Sequence, residues 1–226
     1  MTHGKRYNEL KKLVDSKKVY SPEEAIDLAK KTSKVKFDAS IELHIKLGID
    51  TKRGEEQVRG MVTLPNSLGQ KKKIAVFAEG EKAEEAKKAG ADLVGGKELI
   101  DEIKKSGAAN FDIALATPDM MKHLGQIAKV LGPKGLMPSP KNETVTENIA
   151  KTMGELQKGK VAFKNDDGGN IHQIIGKVSY DNQKLLENFN VFTEAIKKAK
   201  PVTVKAIYIV NTTLSSTMGP GIKVKI

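Results

Sequence analysis

Histidine is the side chain best suited to proton transfer or metal binding near neutral pH, and this 226-residue chain has four: His3, His44, His123 and His172. None stands at metal-ligand spacing from another, and no HExxH, GxSxG or P-loop sequence occurs. The absence of cysteine removes thiolate catalysis, disulfides and cysteine-based zinc sites together. Asp166 and Asp167 could ligate a metal, but a turn that needs Asx residues accounts for them equally. Gly90 to Gly96, GADLVGG, lacks both the GxGxxG order and the strand-then-loop placement of a phosphate loop; it reads as a helix-to-strand connection followed by a helix start. An α/β enzyme would need a nucleophile, a base and an orienting group, and these cannot be assembled. The expectation is no catalytic site, no metal and no cofactor.

A different chemistry is available to Thr212 to Gly221, TTLSSTMGPG, which strings five hydroxyl side chains together with two glycines and a proline. It can be a plain polar loop. Hydroxyls and backbone groups beside glycine are also what phosphate and ribose recognition uses where base stacking is scarce. Stacking is scarce here: aromatic residues are 4% and tryptophan is absent, while the formal net charge is +11. Polyanion binding would therefore rest on charge and backbone groups. No apolar segment of signal-peptide or membrane-spanning length occurs, so a soluble cytoplasmic protein with no membrane partner is expected.

The elements that would position these groups follow from periodicity. Tyr7 to Ser16 carries Leu10, Leu13 and Val14 at helical spacing, and Ser21, Pro22 and Glu24 form the start of a second helix with a capping box, running to about Lys31. From Asp38 the period becomes two, with Ile41, Leu43, Ile45 and Leu47 on one face and Ser40, Glu42, His44 and Lys46 on the other. A short strand, Met61 to Leu64, precedes a linker-like Pro65 to Gly69. Buried-strand runs at 74–78, 93–94 and 112–116 then alternate with helices at 81–89, 97–105 and 120–130, which indicates a parallel open α/β layer. Gly132 to Pro140, GPKGLMPSP, breaks regular structure, and a helix is expected to resume near Thr144. Lys160 to Lys164 and Asn170 to Ser179 read as a hairpin around Asn165 to Gly169. A long helix after Asp181 presents Leu185, Phe189, Phe192 and Ile196 on one face, followed by strands at 202–210 and 222–226.

The expected architecture is an interrupted α+β domain of residues 1–66 and 160–226, with a split β-α-β type sheet and helices on one face, and an inserted α/β open-sheet, Rossmann-like domain at 67–159. Charge supports the division: the insert has 15 lysines against 13 acidic residues, and the flanks have 24 basic against 15 acidic.

Four blocks carry a resemblance to a known family: Val35 to Asp50, Ala116 to Lys141, Gly159 to Ser179 and Ser215 to Gly221. In order and over nearly the whole chain they closely resemble the ribosomal protein L one family, large-subunit proteins of the mobile stalk beside the tRNA exit site. The resemblance implies the same two-domain layout, with the split domain binding large-subunit ribosomal RNA. It also implies an assisting role in release of deacylated tRNA from the exit site, translational repression through the protein's own operon mRNA, and a monomer when free. Position by position, it implies RNA-site roles at Lys36, Phe37, Ser40 and Glu42, at Lys164, Asp166, Gly169 and His172, and at Thr217, Met218 and Gly219; for Phe37 the match does not separate direct contact from support of the site from within. Asp167 and Gly168 depart from members that carry a basic residue and a hydroxyl there, so no contact is carried over to their side chains.

Overall fold

A computed structural model describes residues 4–67, 73–140, 143–157 and 159–226. His3, Leu68 and Gly69 of the linker, and Lys141 lie outside the described residues. In chain order the elements are α1 (Lys5–Lys11), α2 (Pro22–Lys31), β1 (Ser40–Leu47), β2 (Arg59–Thr63), β3 (Ile74–Phe77), α3 (Glu81–Lys88), β4 (Leu93–Gly95), α4 (Lys97–Ser106) and β5 (Ile113–Ala116). Then come short helices α5 (Met121–Leu124) and α6 (Ala128–Leu131), α7 (Ile149–Gln157), β6 (Lys160–Lys164), β7 (Asn170–Lys177), α8 (Asn182–Lys198), β8 (Ile209–Ser216) and β9 (Ile222–Lys223). The chain divides into two compact units, Met1–Leu68 with Val161–Ile226, and Gly69–Lys160.

The first unit is built on an antiparallel sheet in the order β7-β1-β8-β9. Period-two alternation drives β1 to the centre: Ile41, Leu43, Ile45 and Leu47 are buried to within 1% of completeness, facing α2 and α8. Helix α2 starts as its residues dictate, with Ser21 Oγ accepting from Glu24 N and the Glu24 carboxylate accepting from Ser21 N. Helix α8 buries Leu185, Phe189, Phe192 and Ile196. Its fully buried Asn188 donates from Nδ2 to the carbonyls of Asn66 and Ile175, and its Oδ1 accepts from Asn66 N, so the polar group is satisfied. A two-stranded sheet of β2 and β6 adds to this core, with Phe163 edge-on to Phe192 at 5.6 Å between ring centres.

The second unit has the parallel sheet β4-β3-β5 around a core that includes Phe77, Ile100, Leu124, Ile127 and Leu131. At its end Lys160, 8% exposed, donates to the carboxylates of Glu143 and Glu155 at 2.5 and 2.7 Å, which neutralises the buried ammonium.

Several sequence expectations are corrected. Residues 160–179 are not a hairpin: β6 pairs with β2 and β7 with β1, in different sheets. The turn at 165–169 instead switches the chain between sheets, and Asn165 seals one of them by accepting from Val58 N through Oδ1 and donating N–H to Val58 O. Strand β8 covers 209–216 and not 202–210, so Thr212 to Ser216 are sheet residues, with Thr212, Leu214 and Ser216 buried. Alternation with buried Leu214 outweighs the loop-like composition there. The first helix ends at Lys11, where bonds of the i to i−3 kind to Leu10 and Lys11 carbonyls tighten the chain and leave Leu13 54% exposed. The helix expected over 120–130 is broken by a 3₁₀ turn at Gly125–Ile127, as a central glycine allows. Thr144 does not start a helix: its hydroxyl exchanges hydrogen bonds with Ser139 N and O, and α7 begins at Ile149. Asp181 precedes α8 but makes no side-chain cap.

Candidate nucleic-acid interface

The helices cover one face of the four-stranded sheet, so the side chains that alternate with the core residues lie on its other face. Register places Glu42 between Ile174 and Ser215, His44 between His172 and Thr213, and Lys46 between Asn170 and Asn211. The result is a polar strip along β1.

At one end, the start of β1 meets the end of β8. Thr217 N donates to Ser40 O at 2.9 Å, and Thr217 Oγ1 accepts from Ser40 N at 3.1 Å. Lys177 Nζ donates to Ser40 Oγ at 2.8 Å. Gly219 N closes a turn on Ser216 O at 2.8 Å, which places Met218 at φ 65° with its side chain 67% exposed. Glycine is required next: a Cβ on Gly219 would lie 2.3 Å from Ser216 Oγ. Lys36 and Phe37 precede β1 and are exposed; Phe37 is 56% exposed, so its ring is a surface group.

In the middle, His44 Nε2 lies 3.0 Å from Ser215 Oγ and 3.8 Å from Glu42 Oε2, and His44 Nδ1 lies 2.8 Å from His172 Nδ1. Burial, then the neighbouring His172, lowers the His44 pKa, against an opposing pull from Glu42. At the far end, His172 Nε2 stands 3.4 Å from Asp166 Oδ2. Asp166 accepts from Asn170 Nδ2 and from Asn170 N at 2.6 Å, and these bonds bring its pKa to about 2. Gly169, at φ 74°, donates N–H to Asp166 O and accepts at its carbonyl from Leu47 N, tying the turn to β1. Lys46 reaches Gly168 O, and exposed Lys164 ends β6.

The structure thus joins Ser40 directly to Thr217, with Met218 and Gly219 in the adjoining turn, and links His172 to Asp166. Ser40 and Thr217 sit at one end of β1 and Asp166 at the other, about 20 Å apart at the rise of an extended strand, with His172 nearer the middle, opposite His44. Glu42, His44 and Ser215 lie between them. Lys36, Phe37 and Lys164 are exposed and make no hydrogen bond or ion pair with these groups among the described residues. Sequence reasoning missed His44, Ser215 and Lys177. Alternation along β1 already put His44 on the face of Ser40 and Glu42, and Ser215 lay inside the hydroxyl run; nothing local marks Lys177.

The strip along β1 is part-exposed and sets hydroxyls, ring nitrogens, carboxylates and a lysine side by side. Residues 29–220 match the Ribosomal protein L1p/L10e family. The chain is 50% identical over 222 residues to the large ribosomal subunit protein uL1 of Thermosipho melanesiensis, spanning 98% of this chain and 96% of that one. It is 51% identical over 221 residues to the protein of the same name from Fervidobacterium nodosum, spanning 98% and 94%. The chain belongs to the Ribosomal protein L1p/L10e family, a family of ribosomal proteins and not of enzymes.

Proposed function

We propose that this protein is a structural component of the large ribosomal subunit in the cytoplasm and that it binds large-subunit ribosomal RNA through the polar face of β7-β1-β8. The observation that carries the reading is the junction of Ser40 with Thr217, residues 177 positions apart held by backbone and side-chain hydrogen bonds beside the exposed Met218. The relatives' name, large ribosomal subunit protein, supports the assignment to that particle. In this reading the interrupted domain of 1–66 and 160–226 holds the RNA, and residues 67–159 form a separate insert. Lys36 and Lys164 supply phosphate charge. Ser40, Glu42, His172 and Thr217, with the backbone of Met218 and Gly219, meet ribose hydroxyls and base edges, Asp166 and Gly169 shape the turn beside them, and Phe37 offers a ring for stacking.

The same surface would bind a similar element in the protein's own operon mRNA and so repress translation, and on the ribosome the protein would assist release of exit-site tRNA. Free, it would be a monomer. Crosslinking in cell lysate followed by sequencing of the bound RNA tests the reading. Recovery of a large-subunit ribosomal RNA segment is expected, with an operon mRNA segment of the same shape; absence of ribosomal RNA would overturn it.

A further inference from the structure

We propose that Ser215 is a specificity-determining RNA contact, and that a chain of protons running from Ser215 through His44 and His172 to Asp166 makes it present only lone pairs to the RNA. The proposal rests on the RNA-face reading above.

The direction of the chain follows from its ends. An ionised carboxylate can only accept, and Asn170 holds Asp166 in that form. His172 Nε2, 3.4 Å from Asp166 Oδ2, must then carry the ring proton. A neutral imidazole has one such proton, so His172 Nδ1 is bare. His44 Nδ1, 2.8 Å away, has to donate to it, since two bare nitrogens would repel. His44 Nε2 is consequently bare, and Ser215 Oγ at 3.0 Å donates to it. The two histidines are held in opposite tautomers, and the serine's one proton is spent inward.

Ser215 is part-exposed, and its remaining capacity is two acceptor lone pairs. The Glu42 carboxylate beside it, 3.8 Å from His44 Nε2, is likewise an acceptor. An RNA group meeting this pair must donate: an exocyclic amine of adenine, cytosine or guanine, or a ribose 2′-hydroxyl. A base carbonyl or a phosphate oxygen would face lone pairs and be rejected.

The charged and titratable groups around the pair are Glu42 and Lys46 on β1, Asp166 on the turn before β7, and Lys223 opposite Thr213 on the far side of β8.

The test uses the full chain with ¹⁵N-labelled histidine. At pH of about 8, ring-nitrogen shifts should show His44 protonated at Nδ1 and His172 at Nε2. Both rings in the Nε2 form at that pH would overturn the chain. Binding is read with an in vitro transcript of the large-subunit ribosomal RNA segment recovered by crosslinking. Ser215→Ala should weaken it about fivefold at the same pH with an unchanged salt slope, and Ser215→Thr should restore it. Wild-type affinity in Ser215→Ala would overturn the contact while leaving the RNA reading intact. Failure of the wild-type protein to bind would overturn the RNA reading and the contact with it, whereas the tautomers would still report the chain.

Discussion

Met218 sits where an L-residue with a side chain beyond Cβ is disfavoured. The turn from Ser216 to Gly219 closes through Gly219 N to Ser216 O at 2.8 Å, and Met218, its third residue, has φ 65°. That position at positive φ belongs to glycine or asparagine. The left-handed conformation costs an L-residue about 1–2 kcal/mol. Met218→Gly removes that cost, and since the side chain is 67% exposed it gives up little burial. Against this stands about 0.4–1 kcal/mol for the greater freedom of glycine in the unfolded chain. The net expectation is a gain of about 0.5–1 kcal/mol, or about 2–4 °C in Tm for the first unit. Tyrosine fluorescence isolates that unit, because all four tyrosines, Tyr7, Tyr20, Tyr180 and Tyr208, lie within it and the chain has no tryptophan. Met218→Asn should fall between wild type and glycine, and the β-branched Met218→Val should lose about 1 kcal/mol. RNA affinity should move the opposite way, falling in the more stable glycine variant. An unchanged or lower Tm for Met218→Gly would refute the argument that strain is stored at this turn for binding.

Gly219→Ala should destabilise the same unit by about 1–3 kcal/mol in urea titration, because the new methyl would meet the buried Ser216 hydroxyl at 2.3 Å and Ser216 O at 3.1 Å. Lys164→Ala should lower the slope of log affinity against log salt by about one phosphate contact, whereas Thr217→Ala should weaken RNA binding with little change in slope; equal slopes for Lys164→Ala and wild type would remove Lys164 from the interface. Asp166 has its pKa depressed to about 2 by Asn170, so the stability it contributes is present above its unfolded value near 4 and is lost as pH falls through about 2. Asp166→Asn should flatten the fall in stability over that acid window, measured by tyrosine fluorescence; an identical acid profile would show that the carboxylate does not brace the turn.

What the sequence made legible is what local chemistry decides. The capping box of α2 is a contract between residues three apart, and the burial of Ile41, Leu43, Ile45 and Leu47 follows from a period of two. The same alternation placed Ser40, Glu42 and His44 on one polar face. The hairpin expectation failed for a different reason. Asn165, Asp166, Gly168 and Gly169 do make a tight turn, with Asp166 N donating to Asn170 O at 2.8 Å, so the turn chemistry was read correctly. Turn residues reverse or redirect a chain, but they do not choose the partner of the strand that follows. That choice is made at long range: β7 is drawn to β1 by the packing of Ile171 and Ile175 into the same core as Ile41 and Ile45, while Asn165 binds Val58, 107 positions away.

The strand register also explains why the histidine chain could not be read beforehand. His44 and His172 become neighbours only because β1 and β7 are antiparallel with those two residues opposite, and the register shifts further along, between Ile41 and Glu42. A change of register by one residue would turn one ring to the other face of its strand and leave the other without a partner. Asp166 reaches His172 only because the turn, redirected toward β2 on one side and β1 on the other, holds its carboxylate against Asn170. The turn that carries the chain from β6 in one sheet to β7 in another is also the one that sets the Asp166 carboxylate beside His172 on the polar face.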